Sequence, residues 1–248
     1  MIVARFEKRF AGGPRIEIDV TLPVRSDSGD PATTVILGRS GSGKTTLLRC
    51  LAGLDRPDAG VIQFGEDVWF DSGANICLPP RRRGIGFCFQ RPALMPHLTV
   101  RQNVAFGLPR RQRTSSIAED QMVALEIDSL ADRRIDQISA GQAQRVSLAR
   151  SLVLRPRLML LDEPTASLDA SLRTRTRRFL RRTLSAAGTV AVIASHERDE
   201  AAMMGDFLVV LGGDADRGRV LQSGTPGAVF NNPVNAEVAE LVSVWRGN

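Results

Sequence analysis

Apolar residues along this chain fall into two regimes. Short runs rich in β-branched residues or leucine occur at Thr34 to Leu37, Ile85 to Cys88, Leu158 to Leu161, Thr189 to Ala194 and Phe207 to Leu211. Each has the length and composition of a buried strand. Their alternation with helical patterns predicts an α/β fold in which a parallel sheet is wrapped by helices. Between Arg91 and Pro156 the apolar positions Ile117, Met122, Leu125, Ile127 and Leu130 follow helical spacing, and no strand pattern interrupts them. That stretch is expected to form a helical lobe inserted into the α/β core. Gly212, Gly213, Asp214 and Gly218 predict a hairpin turn before Val220 and Leu221. After Gly224, the amphipathic positions Val238, Leu241 and Val242 are expected to pack back on the core.

At 248 residues the chain suits one domain with an inserted lobe. The expected division is a core over about 1–90 and 156–225, a helical subdomain over about 91–155 and a tail over about 226–248. No apolar run approaches the roughly 18 residues that span a bilayer. MIVARFEKRF lacks the apolar segment of a secretory signal, so the chain is expected to stay inside the cell as a soluble protein. Cys50, Cys77 and Cys88 are widely spaced and form no CxxC pair, which predicts buried free thiols rather than a disulfide framework or zinc site. The formal charge of +6 would ordinarily suggest nucleic acid or an anionic membrane. Lysine occurs only at Lys8 and Lys44, however, so the basic charge is almost entirely arginine. The clusters Arg81, Arg82, Arg83 and Arg110, Arg111, Arg113 have no aromatic platform beside them and are expected to be solvated surface. No nucleic-acid partner is expected.

One of the two lysines stands in the most informative segment of the chain. Gly38-Arg39-Ser40-Gly41-Ser42-Gly43-Lys44-Thr45 fits G-x4-G-K-[ST], follows a predicted strand and opens the helix of Thr46, Leu47 and Leu48. This is a P-loop. Glycines let successive backbone N–H groups turn inward around a phosphate, and a helix N-terminus adds unpaired donors and a favourable dipole. Lys44 brings a point charge to the β- and γ-phosphates of ATP, and the Thr45 hydroxyl takes one position on Mg2+. Farther along, Leu158-Met159-Leu160-Leu161-Asp162-Glu163 is an apolar strand ending in two carboxylates, the Walker B pattern. Asp162 reaches the Mg2+ shell, and Glu163, one residue on, can polarise an attacking water.

Between those motifs, Ile138-Ser139-Ala140-Gly141-Gln142-Ala143-Gln144-Arg145 resembles the LSGGQ-x-QR signature of the ABC ATPases. Gln90 resembles the Q-loop of that family, Ser167-Leu168-Asp169 the D-loop and His196 the H-loop, so the resemblance covers essentially the whole chain. It implies a P-loop NTPase fold of RecA-like type, with a mixed, largely parallel sheet flanked by helices and an inserted helical subdomain. It also implies that two subunits, here a homodimer, face head to tail around two ATP molecules. Ser139, Gly141 and Gln142 of one chain, with Asp169, then meet the nucleotide held by Gly38, Arg39, Ser40, Gly41, Ser42, Gly43, Lys44, Thr45 and Thr46 of the other. In these terms Glu163 is the general base, His196 steadies the γ-phosphate, and Gln90 senses Mg2+ and the attacking water. Phe10 is the candidate aromatic that stacks on adenine, with Phe6 nearby as an alternative. Ala140 replaces the first glycine of the signature. If the backbone there required positive φ, alanine would cost roughly 1 kcal/mol.

Gly53 to Gly60, Trp69 to Ser72, Leu78 to Arg83 and Met95 to Val100 together resemble the molybdate branch of importer ATPases. This implies an ATP-hydrolysing subunit at the cytoplasmic face of the inner membrane, bound to integral-membrane permease subunits and served indirectly by a periplasmic binding protein. Sulfate, iron, polyamine or sugar import are the alternatives. Pro92, Leu94, Met95 and Pro96 are candidates for a permease-docking groove, with ordinary core as the other reading. The C-terminal oxyanion-binding domain common in that branch is not expected in a chain ending at Asn248. Two rival readings are an ABC ATPase of nucleic-acid handling, whose coiled-coil or zinc insertions are not evident here, and a module that holds ATP without turnover, suggested by Ala140.

Overall fold

The computed structural model describes residues 1–113, 116–166, 168–213 and 217–243. Ser167 of the expected D-loop, Asp214 of the expected hairpin turn and the terminal Asn248 lie outside the described residues. Two compact units are formed, one from Met1–Ile85 with Val190–Asn248 and the other from Gly86–Thr189.

The first unit opens with strands β1 (Ile2–Arg9), β2 (Arg15–Leu22) and β3 (Thr33–Leu37), then helix α1 (Lys44–Ala52) and strands β4 (Ala59–Phe64), β5 (Asp67–Asp71) and β6 (Ile76–Cys77). The second carries β7 (Ile85–Cys88), α2 (Val100–Ala105), α3 (Ile117–Ala124), α4 (Ala140–Leu152), β8 (Leu158–Asp162) and α5 (Ala170–Ala186). The chain returns to the first unit with β9 (Val190–Ser195), α6 (Arg198–Met204), β10 (Phe207–Gly213), β11 (Arg217–Gly224), α7 (Pro226–Asn231) and α8 (Ala236–Val242).

In the first unit the strand order is β6-β5-β4-β1-β2-β11-β10-β3-β9. The parallel pairs are β2 with β11, β3 with β10 and β3 with β9. The arm β2-β1-β4-β5-β6 is antiparallel, as is the pair of β10 and β11. The strands of this arm are half-buried and alternate, so they leave no continuous apolar run in the sequence. Ile2, Ala4 and Phe6 of β1 face the core opposite Leu22, Val20 and Ile18 of β2, with Val3 and Arg5, and Thr21 and Asp19, on the other face. Gly60 of β4 pairs with Phe6, and a Cβ there would lie 2.6 Å from the Phe6 Cα, so the close approach requires glycine. β3 and β9 are buried along their whole length, which is why they read as unbroken apolar runs.

In the second unit β7 and β8 are neighbours. Gly86 lets β7 pass close to β8 and α4: a Cβ there would sit 2.7 Å from both the Met159 sulfur and the Ser151 carbonyl. Met122, Leu125, Ile127 and Leu130 are buried as expected of a helical lobe, whereas Ile117 is exposed. The unit extends beyond the expected 91–155 and takes in β8 and α5.

Two surface expectations are corrected. Arg83 is fully buried, while Arg81 and Arg82 are exposed. Its guanidinium donates to the carbonyls of Cys50 (2.8 Å), Leu51 (2.8 Å), Leu78 (2.9 Å) and Trp69 (3.3 Å) and lies over the Trp69 ring. Trp69 in turn stacks on Phe64, with ring centroids 5.2 Å apart. Cys77 is exposed, whereas Cys50 and Cys88 are buried, and burial pushes their thiols up to about 12 and about 11 respectively. At the C-terminal end, α8 buries Val238 and Val242 as the amphipathic pattern predicts.

Candidate functional site

The loop between β3 and α1 is built from the backbone outward. Gly41 and Gly43 have φ of 83° and 98°, a left-handed conformation that side-chain-bearing residues rarely adopt. Gly38 is constrained differently: a Cβ there would stand 2.5 Å from the Leu211 carbonyl and 2.6 Å from Ser42 Oγ. Gly43 caps α1, and Lys44 is its first residue. The Lys44 ammonium is buried and donates to the carbonyls of Gly38 (2.8 Å) and Arg39 (2.9 Å), which draws the loop into a ring. Ser42 Oγ is buried with no hydrogen-bond partner among the described residues. A cradle of left-handed glycines, a helix N-terminus, an ammonium group and an orphaned hydroxyl is suited to a polyphosphate. Thr45 is exposed and Thr46 half-buried at the start of α1.

Phe6 and Phe10, the two alternatives for the adenine contact, are separated by the fold. Phe6 is buried in β1. Phe10 lies in the β1–β2 turn, 39% exposed, with the Lys8 ammonium 5.8 Å from its ring centroid. His196, also in the first unit, directly follows β9 and is exposed.

The other candidate residues belong to the second unit. Asp162 ends β8 and is 5% exposed. Glu163 follows with φ of 46°, one of four non-glycine residues with positive φ among the described residues. Such a conformation costs about 1–3 kcal/mol and tends to persist where function requires it. Gln90, exposed just beyond β7, donates from Nε2 to Glu163 Oε2 at 2.8 Å. This pair joins two motifs that are remote in sequence and orients the Glu163 carboxylate, a group whose chemistry is to accept a proton.

Ser139 is the N-cap of α4. Its hydroxyl accepts from the Gln142 N–H (3.3 Å), and Gln142 Oε1 accepts from the Ser139 N–H (2.9 Å). The side chain of Gln142 is therefore turned onto the helix cap, while the Ser139 hydroxyl retains a proton that it can donate. Gly141 fits tightly, since a Cβ there would lie 3.1 Å from Leu168 and 3.2 Å from Leu172. Ala140 is the first residue of α4 and is absent from the positive-φ residues, so the conditional cost of alanine does not arise. Asp169 caps α5 by accepting from the Leu172 N–H at 2.9 Å. Among the described residues no group of three or more His, Cys, Asp or Glu side chains is arranged to hold a metal ion. Thr45 in the first unit and Asp162 in the second each carry an oxygen donor of the type that Mg2+ takes.

Sequence reasoning missed Asn103, which is fully buried in α2. Its side-chain amide donates to the carbonyls of Met95, Leu98 and Thr99, and its Oδ1 accepts from the Met95 N–H. It thereby pins the loop of Pro92, Leu94, Met95 and Pro96, none of which is buried. An asparagine inside a short helix is a poor helix former, and this is the signal that could have exposed it.

A sequence profile of the ABC transporter family matches residues 27–166. The chain is 43% identical over 232 residues to an Fe(3+) ions import ATP-binding protein of Rhodococcus jostii, covering 93% of this chain and 64% of that protein. It is 38% identical to a sulfate/thiosulfate import ATP-binding protein of Caulobacter vibrioides, covering 95% and 68%. It is 41% identical to a molybdenum import ATP-binding protein of Pseudomonas savastanoi, covering 84% and 59%. The chain thus spans about 64% of the length of the iron-import relatives it matches. Among solved structures, cbiO1 of Clostridium perfringens, part of the ABC transporter complex cbiONQ, superposes with a TM-score of 0.75 at 28% identity, covering 97% of this chain and 93% of that one.

Proposed function

The chain belongs to the ABC transporter family, and from that premise we propose that it binds MgATP, hydrolyses it, and drives import through a membrane permease. The observation that carries this reading is the 2.8 Å contact between Gln90 and Glu163, which orients a strained carboxylate directly after the buried Asp162. In this reading the phosphate loop, Lys44 and Thr45 grip the polyphosphate, Phe10 receives the adenine, and Thr45, Asp162 and Gln90 hold Mg2+. The metal supplies charge neutralisation at the phosphate oxygens. Glu163 takes the proton of the attacking water, and His196 donates to the γ-phosphate. Ser139 keeps its hydroxyl proton free for an anion at the start of α4, and with Gly141 it serves the nucleotide of a second copy of this chain. Asp169 lies beside that contact.

The domain reading remains one ATPase domain with a helical subdomain, working at the cytoplasmic face of the membrane. The loop of Met95 and Pro96, pinned by Asn103, is the docking surface for the permease. A separate binding protein delivers the substrate to that permease. For the substrate we put molybdate or a related oxyanion first, on the resemblance of the Trp69 to Pro80 segment. Ferric ion is the second reading, favoured by the 43% identity to iron importers.

The test is phosphate release from MgATP by the purified chain beside Glu163→Gln. The unaltered chain should turn over and the variant should fall by about 100-fold or more while still binding ATP. Equal turnover by both would refute Glu163 as the base, and absence of turnover in both with the permease supplied would refute the enzyme reading. Uptake of molybdate against ferric ion by the reconstituted transporter separates the two substrates.

A further inference from the structure

The phosphate loop touches one element that the proposed chemistry does not use. A cleft of about 410 Å3 in the first unit is lined by Arg39 to Ser42 on one side and by Gly212, Gly213 and α8 on the other. Helix α8 is firmly placed. Val238 and Val242 are buried, Asn235 caps it through the Val238 N–H at 2.9 Å, and Gln222 of β11 bonds both Asn232 O (2.9 Å) and the Val234 N–H (3.0 Å) in the segment leading into it.

From this base α8 presents two carboxylates to the loop and its support. Glu240 forms an ion pair with Arg39, the second residue of the loop. Glu237 accepts from the Gly213 N–H at 2.9 Å, on the strand whose Leu211 carbonyl abuts Gly38. A Cβ at Gly212 would stand 2.3 Å from the Glu237 carboxylate, so glycine there leaves room for that side chain. A site built to attract polyphosphate therefore carries two negative charges on its flank, and one of them is paired with Arg39 of the loop itself.

We propose that Glu240, on a helix tied by Glu237 to the Gly213 N–H, is a positioning residue that holds Arg39 away from the nucleotide, so that α8 sets the affinity of the phosphate loop. The inference rests on the nucleotide reading above. Neutralising Glu240 frees Arg39 and raises the positive potential at the loop, which favours the bound anion. Because the pair is exposed, at 63% and 68% of the two side chains, the effect is modest.

Calorimetric titration of the full chain with MgADP tests this. Glu240→Gln should tighten binding about two- to fivefold at low salt, with the gain shrinking in 1 M NaCl. It should lower KM for ATP and leave kcat unchanged, and Glu240→Asp should restore the parent value. In an Arg39→Ala background the same substitution should change nothing. Unchanged or weaker binding by Glu240→Gln, or a gain that persists without Arg39, would overturn the inference alone. Failure of the unaltered chain to bind MgADP would overturn the nucleotide reading, and this inference with it.

Discussion

Replacing Arg83 by methionine should destabilise the first unit far more than the surface position suggested by its sequence context would allow. Methionine fills comparable space but donates no hydrogen bonds. Of the four carbonyls that the guanidinium serves, Cys50 O also accepts from the Gly53 N–H and Trp69 O from the Leu78 N–H. For Leu51 O and Leu78 O, Arg83 is the hydrogen-bond partner found among the described residues. Each buried carbonyl left without a donor costs about 1–3 kcal/mol, and the lost cation–π contact with Trp69 adds about 0.5–2 kcal/mol. The expected destabilisation is about 3–8 kcal/mol, which lowers Tm by about 6–30 °C for a protein of this size. Arg83→Lys should lose roughly half as much, because an ammonium group reaches fewer of the dispersed carbonyls. Urea and thermal denaturation followed by circular dichroism measure both variants. A midpoint for Arg83→Met within about 0.5 kcal/mol of the parent would show that the carbonyls find other donors and that the guanidinium does not hold α1 to the antiparallel arm.

The loop glycines should separate two kinds of cost. Gly41→Ala meets no neighbour within 4 Å and should lose ATP affinity only through its left-handed φ, by about 1–2 kcal/mol, whereas Gly38→Ala meets backbone oxygen at 2.5 Å and should lose both affinity and thermal stability. In a thiol-titration assay of the native protein, Cys77 should react promptly while Cys50 and Cys88 wait for unfolding, since burial has raised both of their pKa values. Asp55 accepts two hydrogen bonds from Arg49, which hold its pKa below the ordinary 3.8. Its contribution to stability is therefore full above that ordinary value and is lost as pH falls through the depressed one, so acid denaturation of Arg49→Met should lack this component.

The legible parts of the chain were those in which local chemistry is self-sufficient. Gly38 to Thr45 specify a phosphate loop because the glycines, the lysine and the helix start are contiguous, and the central strands β3, β8 and β9 announce themselves because burial on both faces leaves an unbroken apolar run. The capped start of α4 at Ser139 is likewise written in adjacent residues. The antiparallel arm was less legible, since an alternating strand such as β1 becomes distinct only when β2 and β4 supply the face it buries. Arg83 could not be told from Arg81 and Arg82, because three identical side chains in a row differ only in what the fold places beside each.

Sequence by itself thus determined the nature of the chemistry: a polyphosphate cradle, a strand ending in Asp162 and Glu163, and a serine-capped helix, all set by contiguous residues. Tertiary structure alone decided which groups meet at long range. It brought Gln90 to Glu163, turned Arg83 inward beneath Trp69, pinned the Met95 loop with Asn103 and laid Glu240 of α8 against Arg39. Periodicity and propensity act over a few residues, whereas these pairings depend on how distant segments pack, and no local pattern carries that information.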